Sequence, residues 1–313
     1  MVVSYYELDD TDPEHINKYL SALVEKTLRE IQSSGCITIA EDNYSIEPET
    51  LGRISSYYYL NHATVRMFCE QLSEQSSTEG ILKILSDAKE YAELPVRHNE
   101  DQLNADLAPK LPLEVNKYTL DDSHTKAYIL LQAHLCRCPL PSTDYLTDTK
   151  SVMDQAIRVL QAMLDLVADA GWLCTSLQVI LVLQMLIQGR WLTDSSFLTL
   201  PHINFSQETL FRGYRCLPEL MYQYDTKPEI LKKIFSQSEF TRQQVDESNV
   251  SHDAFHRQEI DCRLKKHVQL LPRIAVAVGL RATAEDGEGR KMNDPLIFML
   301  VVQRLLRMLS GWK

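Results

Sequence analysis

The 313-residue sequence contains no Gly-Lys dipeptide, so it lacks the phosphate-cradling loop that ends in Gly-Lys-Ser/Thr. No acidic metal-binding motif of a motor ATPase accompanies it, which excludes ATP hydrolysis by that mechanism. Glycine is scarce at 10 residues, and no strand-loop-helix carries GxGxxG, which removes a dinucleotide site. No GxSxG elbow presents a serine nucleophile. The start, "MVVSYYELDDTDPEH", lacks the basic residues and apolar run of a signal peptide. The longest apolar stretch, "WLCTSLQVILVLQMLIQGRW", is interrupted by Gln178, Gln184 and Gln188. Amides spaced through a bilayer are costly, so a buried helix is expected there and not a membrane span. Seven cysteines, an odd number set mostly among apolar residues, suit a reduced cytosolic or nuclear protein.

Positive charge is short in one part of the chain. Residues 1–125 hold 23 acidic against 10 basic residues, a net −13, whereas residues 126–313 hold 20 against 22, a net +2. A phosphate backbone is repelled by the first part and tolerated by the second. A free-standing, high-affinity nucleic-acid binder is therefore not expected.

Periodicity points to helices. Asp12 and Pro13 mark the start of a first helix with Ile16, Tyr19, Leu20, Leu23, Val24, Leu28 and Ile31 on one face, ended at Gly35. "CITIA-EDN-YSIEP" reads as a small hairpin. A helix then opens near Pro48 and Thr50 and carries Tyr57, Tyr58 and Tyr59. Consecutive helical residues point about 100° apart, so the three tyrosines cannot share one core. They read as a packing junction, one buried and two at seams, or as a stacking platform for bases. Gly52, Ser55 and Ser56 form a small-residue strip open to a close backbone approach, and Thr64 is expected to cap the next helix. Further helices run through "STEGILKILSDAKEY", "EDQLNADLA" and "DDSHTKAYILLQAHLCR". After the break "CPLPSTDYL" comes a long amphipathic helix, Asp148 to Ala170, and then the Gln-interrupted helix. Short helices follow, and two strands near 274–282 and 296–303 close the chain.

Chemistry is sparse. "HLCRC" brings His134, Cys136 and Cys138 together, but on a helix they diverge; His252 and His256 make at most half a metal site. "LPVRHNEDQL" gathers Arg97, His98, Glu100 and Asp101, either an acid-base group or a helix start with Arg97 tied to a carboxylate. On the long helix, Lys150, Asp154, Arg158, Gln161 and Asp165 form a polar stripe. It is either a solvated face with Asp154–Arg158 pairing, or an edge that touches phosphates and bases through Lys150, Arg158 and Gln161. No catalytic residue, metal or cofactor is expected.

The ordered set "SYYEL", "SIEPETLGRISSYYYLNHATVRMF", "LSDAKEYAELPVRHNED", "HTKAYILLQAHLCR", "AIRVLQAMLDLVADAGWL" and "IQGRWLTDSSFLTLPHI" resembles the Sec-sixty-three-type domain of Ski-two-like helicases over residues 4–203. That resemblance implies a mainly α fold: a helical bundle followed by a helix-hairpin-helix unit, with a small N-terminal hairpin and an incomplete C-terminal fibronectin-like β unit. The implied divisions are a winged-helix-like junction with the first bundle helices over 1–72 and the bundle over 73–199, with a ratchet-like helix at 148–170. A helix-hairpin-helix-like unit over 200–270 and a β-sandwich remnant over 271–313 follow. It implies a non-catalytic accessory domain in which Lys150, Arg158 and Gln161 touch an unwound strand, and Leu200, Pro201 and His202 offer a second contact. Tyr57, Tyr58, Tyr59 and Arg97 would be junction residues. The implied partners are single-stranded DNA or RNA, helicase motor domains and other subunits of a cointegrator complex, with no membrane, in nucleus and cytoplasm. A protein-docking scaffold is the alternative.

Overall fold

A computed structural model describes residues 12–217 apart from Asn43 and Pro201, together with Glu219, Leu220, Gln223 and Ile234. Within them the protein is mainly helical with one small two-stranded sheet. The two C-terminal strands, His252 and His256 lie outside the described residues, as does most of the span from 218 onward.

Helix α1 spans Pro13–Ser33, and none of its residues is buried. Its apolar face forms as the spacing predicts, yet Val24 is 57% exposed and only Ile31 at its end packs against the core. Gly35, at φ +73°, turns the chain into the hairpin of β1 (Ile37–Ile39) and β2 (Ile46–Pro48), paired antiparallel with Thr38 opposite Glu47. Helix α2 (Thr50–Tyr58) then packs so tightly on this turn that a Cβ at Gly52 would sit 2.1 Å from the Cys36 carbonyl oxygen. That is the close backbone approach expected of the small-residue strip.

Helix α3 (His62–Gln71) begins earlier than expected. Asn61, not Thr64, is its cap and accepts from the Ala63 amide at 2.8 Å. Thr64 is buried, and its hydroxyl donates to Glu90 at 2.7 Å. The bundle continues with α4 (Thr78–Ser86), α5 (Glu100–Leu107), α6 (Ser123–Cys136), α7 (Thr143–Asp169) and α8 (Leu173–Gln188). Helix α7 is the spine, packed on α2, α3, α4, α6 and α8. Its start corrects the expected boundary at Asp148: Ser142 caps it, so the Pro-rich break ends one and a half turns sooner. Helix α6 is buried on nearly every side, which is why its sequence shows little amphipathic pattern.

The glutamine-interrupted helix is a core element. Gln178 accepts from the Thr78 hydroxyl at 2.8 Å, tying α8 to α4. Among the described residues no helix is long and apolar enough to cross a membrane. Beyond α8 a second apolar cluster forms around Phe197, Leu200, Ile203, Phe211 and Leu220. Phe197 and Phe211 stack with ring centroids 4.5 Å apart.

Candidate nucleic-acid interface

Two anchors hold α7, one near each end. At the first, Lys126 of α6 is fully buried and its ammonium donates to the Pro95 carbonyl at 2.7 Å, Glu100 at 2.5 Å and Asp148 at 2.7 Å. Arg97 closes the group from the rim, 2.9 Å from Glu100 and 2.7 Å from Asp148. Beneath it the Tyr145 hydroxyl donates to Asn104 at 2.8 Å, and the Tyr145 ring lies 4.9 Å from the Lys126 nitrogen. Burial alone raises both carboxylates. Hydrogen bonds from Lys126 and Arg97 outweigh it and hold Glu100 and Asp148 below the ordinary carboxylate range. Both stay ionised at neutral pH with their oxygens engaged, and Arg97 is tied to a carboxylate as one of the two readings of this cluster expects. The group extends beyond that motif: two of its four charges, Lys126 and Asp148, come from two other helices, α6 and α7.

At the second anchor, Tyr58 is buried and its hydroxyl donates to Asp165 at 2.8 Å. The tyrosine helix ends there, and Tyr59 adopts a left-handed conformation at φ 52°. Its carbonyl accepts from Arg158 at 3.1 Å, and Arg158 also donates to Gln155. The polar stripe of α7 is therefore not a uniformly solvated face. Lys150 and Asp154 are exposed, but Arg158, Gln161 and Asp165 are half-buried. Arg158 is engaged with the end of α2 and with Gln155 in place of the expected Asp154. The three tyrosines also part from expectation: Tyr57 and Tyr59 are 67% and 84% exposed, not at seams. Tyr57 meets the Tyr58 ring edge-on at 4.9 Å.

The remaining candidates lie beside the second cluster. Leu200 is buried, His202 is exposed at φ 63°, and Pro201 lies outside the described residues. What joins this cluster to the bundle is Arg137, a residue sequence reasoning passed over. It ends α6 in a left-handed turn at φ 52°, and its guanidinium donates to the carbonyls of Gly189 at 2.9 Å, Ile203 at 3.3 Å and Leu198. The flanking "HLCRC" residues have other uses: His134 bonds the Leu186 carbonyl at 2.8 Å, and Cys136 accepts from the Trp191 indole at 3.0 Å.

A family model, the Sec63 Brl domain, matches residues 48–287. The chain belongs to the Sec63 Brl family. Activating signal cointegrator 1 complex subunit 3 of Bos taurus is 53% identical over 246 residues, covering 74% of this chain and 11% of that protein. The Homo sapiens protein of the same name is 57% identical over 212 residues, covering 68% and 10%. The U5 small nuclear ribonucleoprotein 200 kDa helicase of Homo sapiens is 39% identical over 209 residues, covering 67% and 10%. The chain thus spans about a tenth of the length of these curated relatives. Its Sec63 Brl region has counterparts in a named helicase and in a subunit of a larger complex, and all three clusters described above fall within the matched span.

Proposed function

We propose that this chain acts as a non-catalytic accessory domain of an ATP-dependent nucleic-acid helicase, guiding the unwound single strand along α7 and buttressing the motor. The observation that carries the proposal is α7, anchored near both ends, with exposed Lys150 and half-exposed Arg158 and Gln161 along one stripe, Arg158 bonded to the backbone carbonyl of Tyr59, whose side chain is exposed. A cation followed by an aromatic and an amide suits a translocating strand, which needs sparse electrostatic contact and a sequence-tolerant stacking surface. Leu200, Pro201 and His202 supply a second contact, through backbone where Leu200 is concerned. The setting we propose, on the sequence resemblance, is a cointegrator-type complex that serves DNA alkylation repair, transcription coactivation and ribosome quality control in nucleus and cytoplasm. The divisions at 1–72, 73–199, 200–270 and 271–313 follow the same reading.

Fluorescence anisotropy with short single-stranded DNA and RNA tests it, at low and moderate salt, with wild type, Lys150→Glu, and Lys150→Glu combined with Arg158→Glu. Salt-sensitive binding weakened by Lys150→Glu and lost in the double variant is expected. Because Arg158 also holds the Tyr59 carbonyl, the single variant separates strand contact from local unfolding. Wild type that binds neither strand at low salt defeats autonomous guiding. The acidic balance of residues 1–125, net −13, would then favour a docking scaffold for protein partners.

A further inference from the structure

Between the start of α4 and the flank of α6 lies a groove of about 410 Å³ lined by Ser77, Glu79, Lys83, Glu114, Asn116 and Tyr128, among others. None of these residues belongs to either anchor of α7. Tyr128 is 5% exposed. Its hydroxyl has no hydrogen-bond partner among the described residues, yet it is not sealed from solvent, so it opens on the groove it lines. A phenol buried to this degree ordinarily has a partner.

The charges around it state which partner fits. Burial first, and then the negative charges of Glu79 and Asp87, push the Tyr128 hydroxyl up to about 12. It is a neutral phenol in an anionic field, free to accept from a cation. Lys83 lies 5.4 Å from the Tyr128 ring centroid, but Asp87 at 3.0 Å meets its charge. Glu79 and Glu114 are exposed and form no ion pair among the described residues, so they set the net charge of the lining. An anion would have the start of α4 in its favour. Glu79 already occupies that first turn, and the Ser77 hydroxyl already accepts from the Gly80 amide at 3.1 Å.

We propose that the groove receives an arginine side chain from a basic segment of a protein partner, its guanidinium donating to the Tyr128 hydroxyl and to the Glu79 and Glu114 carboxylates. Arginine fits better than lysine because its planar fork carries five donors and meets acceptors from separate elements at once. The net −13 of residues 1–125 draws such a segment in. The inference does not depend on strand guiding, since Tyr128 lies on α6.

The test uses the full chain and a fluorescein-labelled Gly/Ser peptide carrying two arginines, with its citrulline counterpart and a neutral-backbone phosphoserine peptide as further arms. The arginine peptide should bind, and citrulline should weaken binding by roughly tenfold or more. Tyr128→Phe, which breaks no bond in the fold, should weaken it by roughly three- to tenfold. Glu79→Gln with Glu114→Gln should weaken it by roughly tenfold or more, while Glu41→Gln with Glu47→Gln on the hairpin should leave it unchanged. Equal loss in the groove and hairpin variants would reduce the effect to diffuse surface charge and overturn the site. So would absence of arginine-peptide binding, or a phosphoserine peptide that binds with Tyr128 dependence in its place.

Discussion

Replacing Lys126 by methionine keeps the length and most of the volume of a fully buried side chain and removes its charge. What remains is electrostatic. Glu100 and Asp148, each 4% exposed, lose the donor that sits between them, and the Pro95 carbonyl loses its partner. Arg97 stays, but its side chain is 40% exposed and solvent screens it. Removing one partner from a buried ion group costs about 3–5 kcal/mol, because a buried charge is left uncompensated. We take about 4 kcal/mol, which for a domain of this size lowers Tm by roughly 8–16 °C. The loss should depend on pH. In wild type the folded pKa values of both carboxylates are depressed, so their contribution is present above the unfolded values and lost as pH falls through the folded ones. In the variant, burial without Lys126 raises at least one folded pKa, and that carboxylate sheds its penalty by taking a proton. The stability gap between wild type and variant should therefore narrow from neutral pH to about pH 4. Urea denaturation followed by far-UV circular dichroism at both pH values reads this directly. A loss under about 1 kcal/mol at neutral pH, or one that does not change with pH, would refute the reasoning.

Two further substitutions probe the frame around α7. Gly52→Ala places a Cβ 2.1 Å from the Cys36 carbonyl oxygen, which is backbone and cannot step aside; a destabilisation of about 3 kcal/mol is expected, seen in thermal melts. Arg137→Ala removes the donor to the Gly189, Ile203 and Leu198 carbonyls. Hydrogen exchange should then quicken across residues 189–203 while α6 and α7 stay protected, with about 2–3 kcal/mol lost locally.

The backbone was largely legible in the sequence because capping, glycine and apolar spacing act locally. Gly35, the hairpin and the order of the bundle helices all follow from short-range signals. The first turns of α7 were missed because "TDYLTD" is polar, and hydropathy reads polar residues as outside. Tyr145 and Asp148 point inward there because Asn104 and Lys126 await them. The solvated-face reading of the α7 stripe fails for the same reason: Arg158 and Asp165 are polar yet face the tyrosine helix, where a carbonyl and a hydroxyl pair with them. Lys126 left a signal that could have been used, a lone cation inside "KAYILLQAHL". A lysine in such a run needs an acidic partner, and Glu100 was already in view. Arg137 left none, since its role depends on carbonyls more than fifty residues away.

The paired fastenings on α7 have a mechanical side. Asp148 and Asp165 stand 17 residues apart, about 25 Å along the axis, and each is gripped by a different part of the chain. A rod built in at both ends resists bowing and rocking alike. A sideways pull on its outer edge would pass into the Arg97 loop on one side and the tyrosine helix on the other, with little slack in between. Load applied at one spot would thus be felt at two remote places in the bundle, and weakening either grip should make α7 more compliant along its whole length.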